Sequence, residues 1–263
     1  MQIAILGFGR FGQALSDLLV KAGHDVRAYD PNVAVPPGLA AASTAEAIHD
    51  ARWVVLAMPV PHLRDALAAL RPLLHAGQTV IDVGSVKLHP CATMDELLGA
   101  DIPHAGTHPL FGPLSLARGE RPLRVVVCAS AQHPRTAAQA RALFADLGCE
   151  VIDQEPAAHD RAMARTHALA FFIAKGLVNM GVDDDMSVAP PSFQGLKHMV
   201  AAVRGDAGHL FAAIQQENPF AAEARSRLLE SLESIHGKLL TEADENGSLA
   251  IPDRPEKAGG KGD

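Results

Sequence analysis

Aromatic side chains are scarce in this chain. One tryptophan, one tyrosine and nine phenylalanines supply 4% of the residues, although 48% are hydrophobic. A core of that make-up has to be filled mostly by Ala, Leu and Val. Cysteine is nearly absent too: Cys91, Cys128 and Cys149 show no Cys-x-x-Cys spacing. They read as small buried hydrophobes of a reducing compartment, and no metal is expected. No long basic run occurs and the net charge is −7, which argues against a nucleic-acid surface. No apolar run approaches the ~18 residues that a membrane span needs. No leader pattern is visible at the N-terminus, so a cytoplasmic protein with no membrane partner is expected. The 263 residues suffice for one large or two modest domains.

What the chain does have is concentrated in its first twelve residues. The apolar run Gln2-Ile3-Ala4-Ile5-Leu6 leads straight into Gly7-Phe8-Gly9-Arg10-Phe11-Gly12. Phe11, Ala14, Leu15, Leu18 and Leu19 then recur at helical spacing. Strand, tight turn and helix in this order form a dinucleotide-binding fingerprint. Gly7 permits the turn, Gly9 lets the backbone approach a pyrophosphate, and Gly12 lets helix and strand pack closely. The free N–H groups and dipole at the helix start then hold the phosphates. A second strand over 24–30 ends in Asp30, 18 residues after Gly12, near the spacing of a ribose-binding carboxylate. Asp30, with no Lys or Arg between Ala28 and Ala51, favours NAD over NADP.

Further along, segments at 52–57, 78–83, 124–128 and 150–152 read as strands alternating with helical segments, and 101–109 as a short strand and its exit. Residues 1–154 thus read as a Rossmann-type doubly wound α/β domain. From 155 to 240 no strand pattern is found. Helices are expected over 159–180, 193–216 and 219–240, with a linker at 181–192. Residues 241–263 are almost devoid of apolar side chains, so a disordered tail is expected.

Ligands of such sheets bind at the carboxyl ends of the strands. Met58-Pro59 leaves one strand end and is expected to line the cofactor, together with Gly7, Phe8, Gly9, Arg10, Phe11, Gly12 and Asp30. Gly84-Ser85-Val86-Lys87 and Gly106-Thr107-His108-Pro109 leave two others. They bring a hydroxyl and an imidazole to the nicotinamide side.

Ser85-Val86-Lys87, followed by His108-Pro109-Leu110-Phe111-Gly112-Pro113, resembles the prephenate and arogenate dehydrogenase family of tyrosine biosynthesis. The family pattern is Ser-Val-Lys and then His-Pro-Met-Phe-Gly-Pro, so Leu110 is a mild departure. His159-Asp160, opening the helical region, also matches. The resemblance implies NAD-dependent oxidation of prephenate or arogenate with loss of the ring carboxylate. It implies His108 as the base, Ser85 as the hydroxyl that orients it or the substrate, and Lys87 and His167 near the substrate. It also implies a homodimer through the helical region. A base with a pKa near neutrality suits proton removal from the 4-hydroxyl, and a neutral imidazole fits that need. One departure concerns an arginine that grips a substrate carboxylate in the family. Gln194 stands in its place here, with Lys197 a turn later, and glutamine lacks the charge and the bidentate fork. Two alternatives stay open. One is a related Rossmann dehydrogenase for another small carboxylic acid; the other is a non-catalytic nucleotide-binding regulator.

Overall fold

The computed structural model describes residues 1–182, 189–205 and 208–241. The contacts divide the chain into two compact units, Met1–Arg225 and Ser226–Asp263. The first holds a seven-stranded sheet in the order β2-β1-β3-β4-β5-β6-β7. The strands are β1 (Gln2–Leu6), β2 (Asp25–Tyr29), β3 (Trp53–Leu56), β4 (Thr79–Asp82), β5 (His104–Pro109), β6 (Leu123–Ala129) and β7 (Cys149–Asp153). Each lies on a segment that the sequence reads as a strand. β3 and β4 are buried along their whole length. That is the signature of central parallel strands covered on both faces.

Helices α1 (Arg10–Lys21), α2 (Thr44–Ile48), α3 (Leu63–Leu70), α4 (Leu88–Leu98), α5 (Pro113–Ala117) and α6 (Pro134–Asp146) cover the sheet. Two apolar clusters result. One, around Ile3, Leu15, Trp53, Val125 and Phe144, contains the only tryptophan. The other surrounds Ala4, Leu67, Val80 and Met94. Cys128 and Cys149 are buried and all three cysteines are free.

The chain turns outward from β1 to β2 and returns past β1 to β3, so the topological switch lies between β1 and β3. The strand ends are in step: Leu6 faces Leu56, Leu56 faces Asp82, and Asp82 faces Gly106. One feature is invisible in the apolar runs. β6 runs antiparallel to β5, with His108 opposite Val126, and β7 is parallel to β6. The segment between β5 and β6 holds only the five-residue α5, which packs on α1 instead of crossing the sheet. With no crossover helix, β6 has to return alongside β5.

The helical region begins with α7 (Pro156–Met163). The single long helix expected over 159–180 is in fact interrupted. A π turn, Ala164–Ala168, separates α7 from α8 (Leu169–Asn179). Then come α9 (Gln194–Gly205), α10 (His209–Ala212), a second π turn (Ala213–Glu217) and α11 (Ala221–Thr241). Ala168, Phe171, Ala174, Val200, Val203, Ile214 and Ala221 form its buried cluster. Most of the expected linker, 183–188, and the expected tail, 242–263, lie outside the described residues. No helix among the described residues is long and apolar enough to cross a membrane.

Candidate active site

The glycine turn has the geometry that its sequence implies. Gly7 has φ +102°, a conformation that side chains with a Cβ rarely adopt. A Cβ there would lie 2.7 Å from the backbone of Ala57 and Met58, at the end of β3. A Cβ on Gly12 would lie 2.3 Å from the Gly7 carbonyl oxygen, so helix and turn can meet only through glycine. Gly9 has open space where its Cβ would be. The first bond of α1 runs from the Gln13 N–H to the Gly9 carbonyl at 3.0 Å. The Gly7 N–H donates to the Tyr29 carbonyl at 3.0 Å, and the N–H groups of the first helical turn have no partner within the helix. A bare cradle at a helix N-terminus, on the switch point of the sheet, fits a dinucleotide pyrophosphate.

Around the cradle, the structure gives three of the expected residues more than one task. The Asp30 carboxylate accepts the Phe8 N–H at 2.6 Å and those of Asn32 and Val33 at 2.8 and 3.0 Å. It therefore ties the β2 end to the glycine turn. The Phe8 N–H is committed to Asp30 and the Phe8 ring is buried in the core, so this residue supports the turn from behind. The Arg10 guanidinium donates to the Gly205 carbonyl at the end of α9. Phe11 packs its ring at 6.1 Å from that of Phe111, which joins the turn to the segment after β5. Met58 and Pro59 follow Ala57 beside Gly7, on the β3 side of the switch point.

Lys87 is fully buried. Its ammonium donates to the Asp82 carboxylate and to the Thr107 carbonyl, the latter at 2.6 Å. Asp82 also accepts the N–H groups of Gly84 (2.9 Å) and Thr107 (3.2 Å). The Thr107 hydroxyl returns a bond to the Asp82 carbonyl at 2.5 Å. This network clamps the exits of β4 and β5, the two segments that carry Ser85 and His108. Ser85 sits half-buried in the turn between them and α4.

His108 is buried at the end of β5. Its Nδ1 lies 2.8 Å from Nε2 of His159, and Nδ1 of His159 lies 2.7 Å from the Asp160 carboxylate. Asp160 also accepts the N–H groups of Lys87 (2.7 Å) and Leu88 (2.9 Å) at the start of α4. Asn218 holds the Asp160 carbonyl at 2.8 Å. Burial, reinforced by the positive charges that His159, Lys87 and His167 can carry, holds His108 well below the ordinary imidazole range. Its ring is therefore neutral at pH 7.

His167 lies in the first π turn, the kind of helix irregularity that recurs at functional sites. Its ring is parallel to that of His108 at 6.4 Å and edge-on to Phe171 at 4.7 Å. Burial and His159 lower it to about 4. Gln215, from the second π turn, caps the first by donating to the Ala168 carbonyl at 2.7 Å. The structure thus brings His108 and His167 together, whereas Gln194 and Lys197 lie exposed on α9. Sequence reasoning missed Asp82 and Thr107. The signal for Asp82 is a lone acid closing an apolar strand. It assigned no role to His159 and Asp160, although the pair was noticed.

A Rossmann-type sheet with an open glycine cradle, and a buried histidine cluster beside the end of β5, is the build of a dinucleotide-dependent dehydrogenase. Residues 22–152 match the family described as prephenate dehydrogenase, nucleotide-binding domain. Beyond that segment, the chain is similar over most of its length to dehydrogenases of prephenate-like and arogenate substrates. It is 28% identical to 4-amino-4-deoxyprephenate dehydrogenase of Streptomyces pristinaespiralis, over 95% of this chain and 88% of that protein. It is 26% identical to chloroplastic arogenate dehydrogenase 1 of Arabidopsis thaliana, over 91% of this chain but only 39% of the plant protein. The fold is that of the prephenate dehydrogenase from A. aeolicus crystallised with hydroxyphenyl propionate and NAD+. The TM-score is 0.74 at 21% identity, covering 93% of this chain and 92% of that one.

Proposed function

We propose that this protein oxidises prephenate or arogenate at the ring carbon bearing the 4-hydroxyl, using NAD+, with loss of the ring carboxylate as CO2. The observation that carries the reading is the state of His108. Its ring is neutral and buried, and its Nδ1 is engaged by His159, which leaves Nε2 for a substrate hydroxyl. His108 accepts the hydroxyl proton as the carbon gives up hydride. Bound NAD supplies the hydride acceptor. Gly7, Gly9 and Gly12 shape the phosphate cradle, Arg10 and Phe11 start the helix above it, and Asp30 takes the ribose. Met58 and Pro59 line the far side. Ser85 orients His108 or the hydroxyl, and His167 lines the substrate's other flank. Gln194 and Lys197 are the candidates for a substrate carboxylate. Lys87 acts from behind, by holding Asp82.

The relative from Streptomyces pristinaespiralis, matched over 88% of its length, favours a second substrate. A neutral imidazole accepts a hydrogen bond from a 4-amino group as readily as from a 4-hydroxyl. Prephenate, arogenate and 4-amino-4-deoxyprephenate, each mixed with NAD+ and followed at 340 nm, separate these readings. NAD+ binding with no absorbance rise from any of the three would leave only a nucleotide-binding regulator or a dehydrogenase for another acid.

The division into a dinucleotide domain (1–154), a helical substrate region (155–240) and a tail (241–263) belongs to the same proposal, as does a cytoplasmic location. So does a homodimer. Leu229, Leu232, Ile235 and Leu239 recur at helical spacing on α11 and are about half exposed. A second copy is the simple cover for such a stripe.

A further inference from the structure

Asp160 is fully buried and accepts backbone N–H groups on both carboxylate oxygens, from Lys87 on one and Leu88 on the other. The first of these oxygens also faces Nδ1 of His159 at 2.7 Å. That ring nitrogen must therefore carry the hydrogen. A neutral imidazole has one N–H, so Nε2 of His159 is a lone pair. Nδ1 of His108, 2.8 Å away, must then donate to it. The sequence of donors runs one way from His108 to Asp160. It ends outward in a lone pair on Nε2 of His108, the nitrogen that can take a proton.

The groups facing these rings define the electrostatics. His167, from the π turn, stacks on His108. Lys87, at the start of α4, opposes positive charge on His108, and Asp82 is paired with Lys87. Asp160 is the acid that contacts His159. A proton shared toward His159 moves away from Lys87 and beside a carboxylate.

We propose that His159 and Asp160 act as positioning residues that, with His108, form a sealed two-histidine proton reservoir. It rests on His108 being the base. As the substrate hydroxyl gives its proton to Nε2 of His108, the hydrogen on Nδ1 shifts to Nε2 of His159. His159 then carries the positive charge against Asp160. The electron pair of the ring C–H bond leaves as hydride to the coenzyme. The bond from the ring to the carboxylate breaks, its pair enters the ring, and CO2 departs. The oxygen of the new phenol recovers the proton as both hydrogens shift back. Substrate and product both hold one hydroxyl hydrogen, so no proton is released overall. This matches the burial, because His159 and Asp160 are 0% exposed and a route to solvent is not required.

Two measurements test the reservoir. Histidine-selective nitrogen-15 labelling of the unmodified protein reads the tautomers at pH 7. Both His108 and His159 should be Nδ1–H rings, and an Nε2–H His108 would overturn the proposal with no variant needed. Kinetics of His159→Gln and His159→Phe give the second. The glutamine amide can accept from His108 and donate to Asp160, but it cannot take a proton. Both variants should keep KM and NAD+ affinity within about threefold. The kcat should fall about tenfold or more in His159→Gln and further in His159→Phe. In His159→Phe the acid limb of kcat should also shift from its wild-type position, because the acceptor of the His108 Nδ1–H and the charge that opposes protonation are both gone. Loss of kcat that only follows loss of thermal stability, with the acid limb unmoved in both variants, would make the pair merely structural. Near-normal turnover by His108→Asn would instead sink the base assignment on which the reservoir rests. The tautomers decide even where a variant does not fold.

Discussion

Nδ1 of His108 and Nε2 of His159 lie 2.8 Å apart, in an edge-to-face ring pair with centroids 5.0 Å apart. One ring stands at the end of β5 and the other on α7. The contact joins the sheet to the helical region and decides which nitrogen of His108 remains for chemistry.

His108→Asn should keep the fold and its affinity for NAD+, because the cradle and Asp30 are untouched. Its kcat should fall by about 10²–10⁴, the usual contribution of a positioned acid–base group. Burial depresses the His108 pKa. The wild-type rate should therefore fall only below the ordinary imidazole range, as the imidazolium forms, and that limb should vanish in the variant. Unchanged turnover with an unchanged pH profile would remove His108 from the mechanism and turn attention to His167.

The glycines of the cradle should separate stability from binding. A Cβ on Gly12 meets a backbone oxygen at 2.3 Å, which cannot move aside without the turn. Gly12→Ala should cost about 1–3 kcal/mol of stability and lose coenzyme binding. Gly9→Ala meets nothing within 4 Å. It should leave stability within about 0.5 kcal/mol. It should still weaken NAD+ about tenfold, because the methyl occupies space meant for phosphate. Thermal melts and NAD+ titration of both variants check this. A destabilised Gly9→Ala with normal NAD+ affinity would contradict it.

Lys87→Met should cost about 3–5 kcal/mol in urea unfolding, because it strands a buried carboxylate. Adding Asp82→Asn should recover part of that loss. A single variant as stable as the wild type would mean that Asp82 does not depend on its partner.

His167 has a folded pKa of about 4 against an ordinary 6.5. Between these values the unfolded chain binds a proton that the native ring refuses. Stability is therefore fully present above pH 6.5 and declines as pH falls toward 4. The total effect is about 3 kcal/mol. His167→Gln should flatten that decline, read as urea midpoints from pH 7 downward. Equal slopes for variant and wild type would place the acid sensitivity elsewhere.

Light scattering at micromolar concentration should give a dimer, and Leu232→Glu should shift it toward monomer. A monomeric wild type would leave the α11 stripe without its proposed cover.

Much of this was legible from local pattern. The strands are short segments set off by nearby glycine or proline, most of them apolar, and a segment of that kind needs no distant partner to be recognised. Gly7, Gly9 and Gly12 announce their turn because only glycine tolerates the angle or the approach. The histidine at the end of β5 stood out through its neighbours in sequence. What escaped has a common cause. A π turn adds one residue to a helix and barely disturbs the apolar periodicity, so Ala164–Ala168 was hidden inside an apparently continuous helix.

The sequence by itself determined the dinucleotide cradle and the order of strands along the chain. Those depend on residues adjacent in the chain and on their intrinsic conformational limits. Tertiary structure alone decided the reversal of β6, the burial of Lys87 and the pairing of His108 with His159. Lysine normally stays in water, and here it is buried because Asp82 and the Thr107 carbonyl converge on it. His108 and His159 are 51 positions apart. The free energy of a buried hydrogen bond depends on where groups sit in space, and no local pattern carries that information.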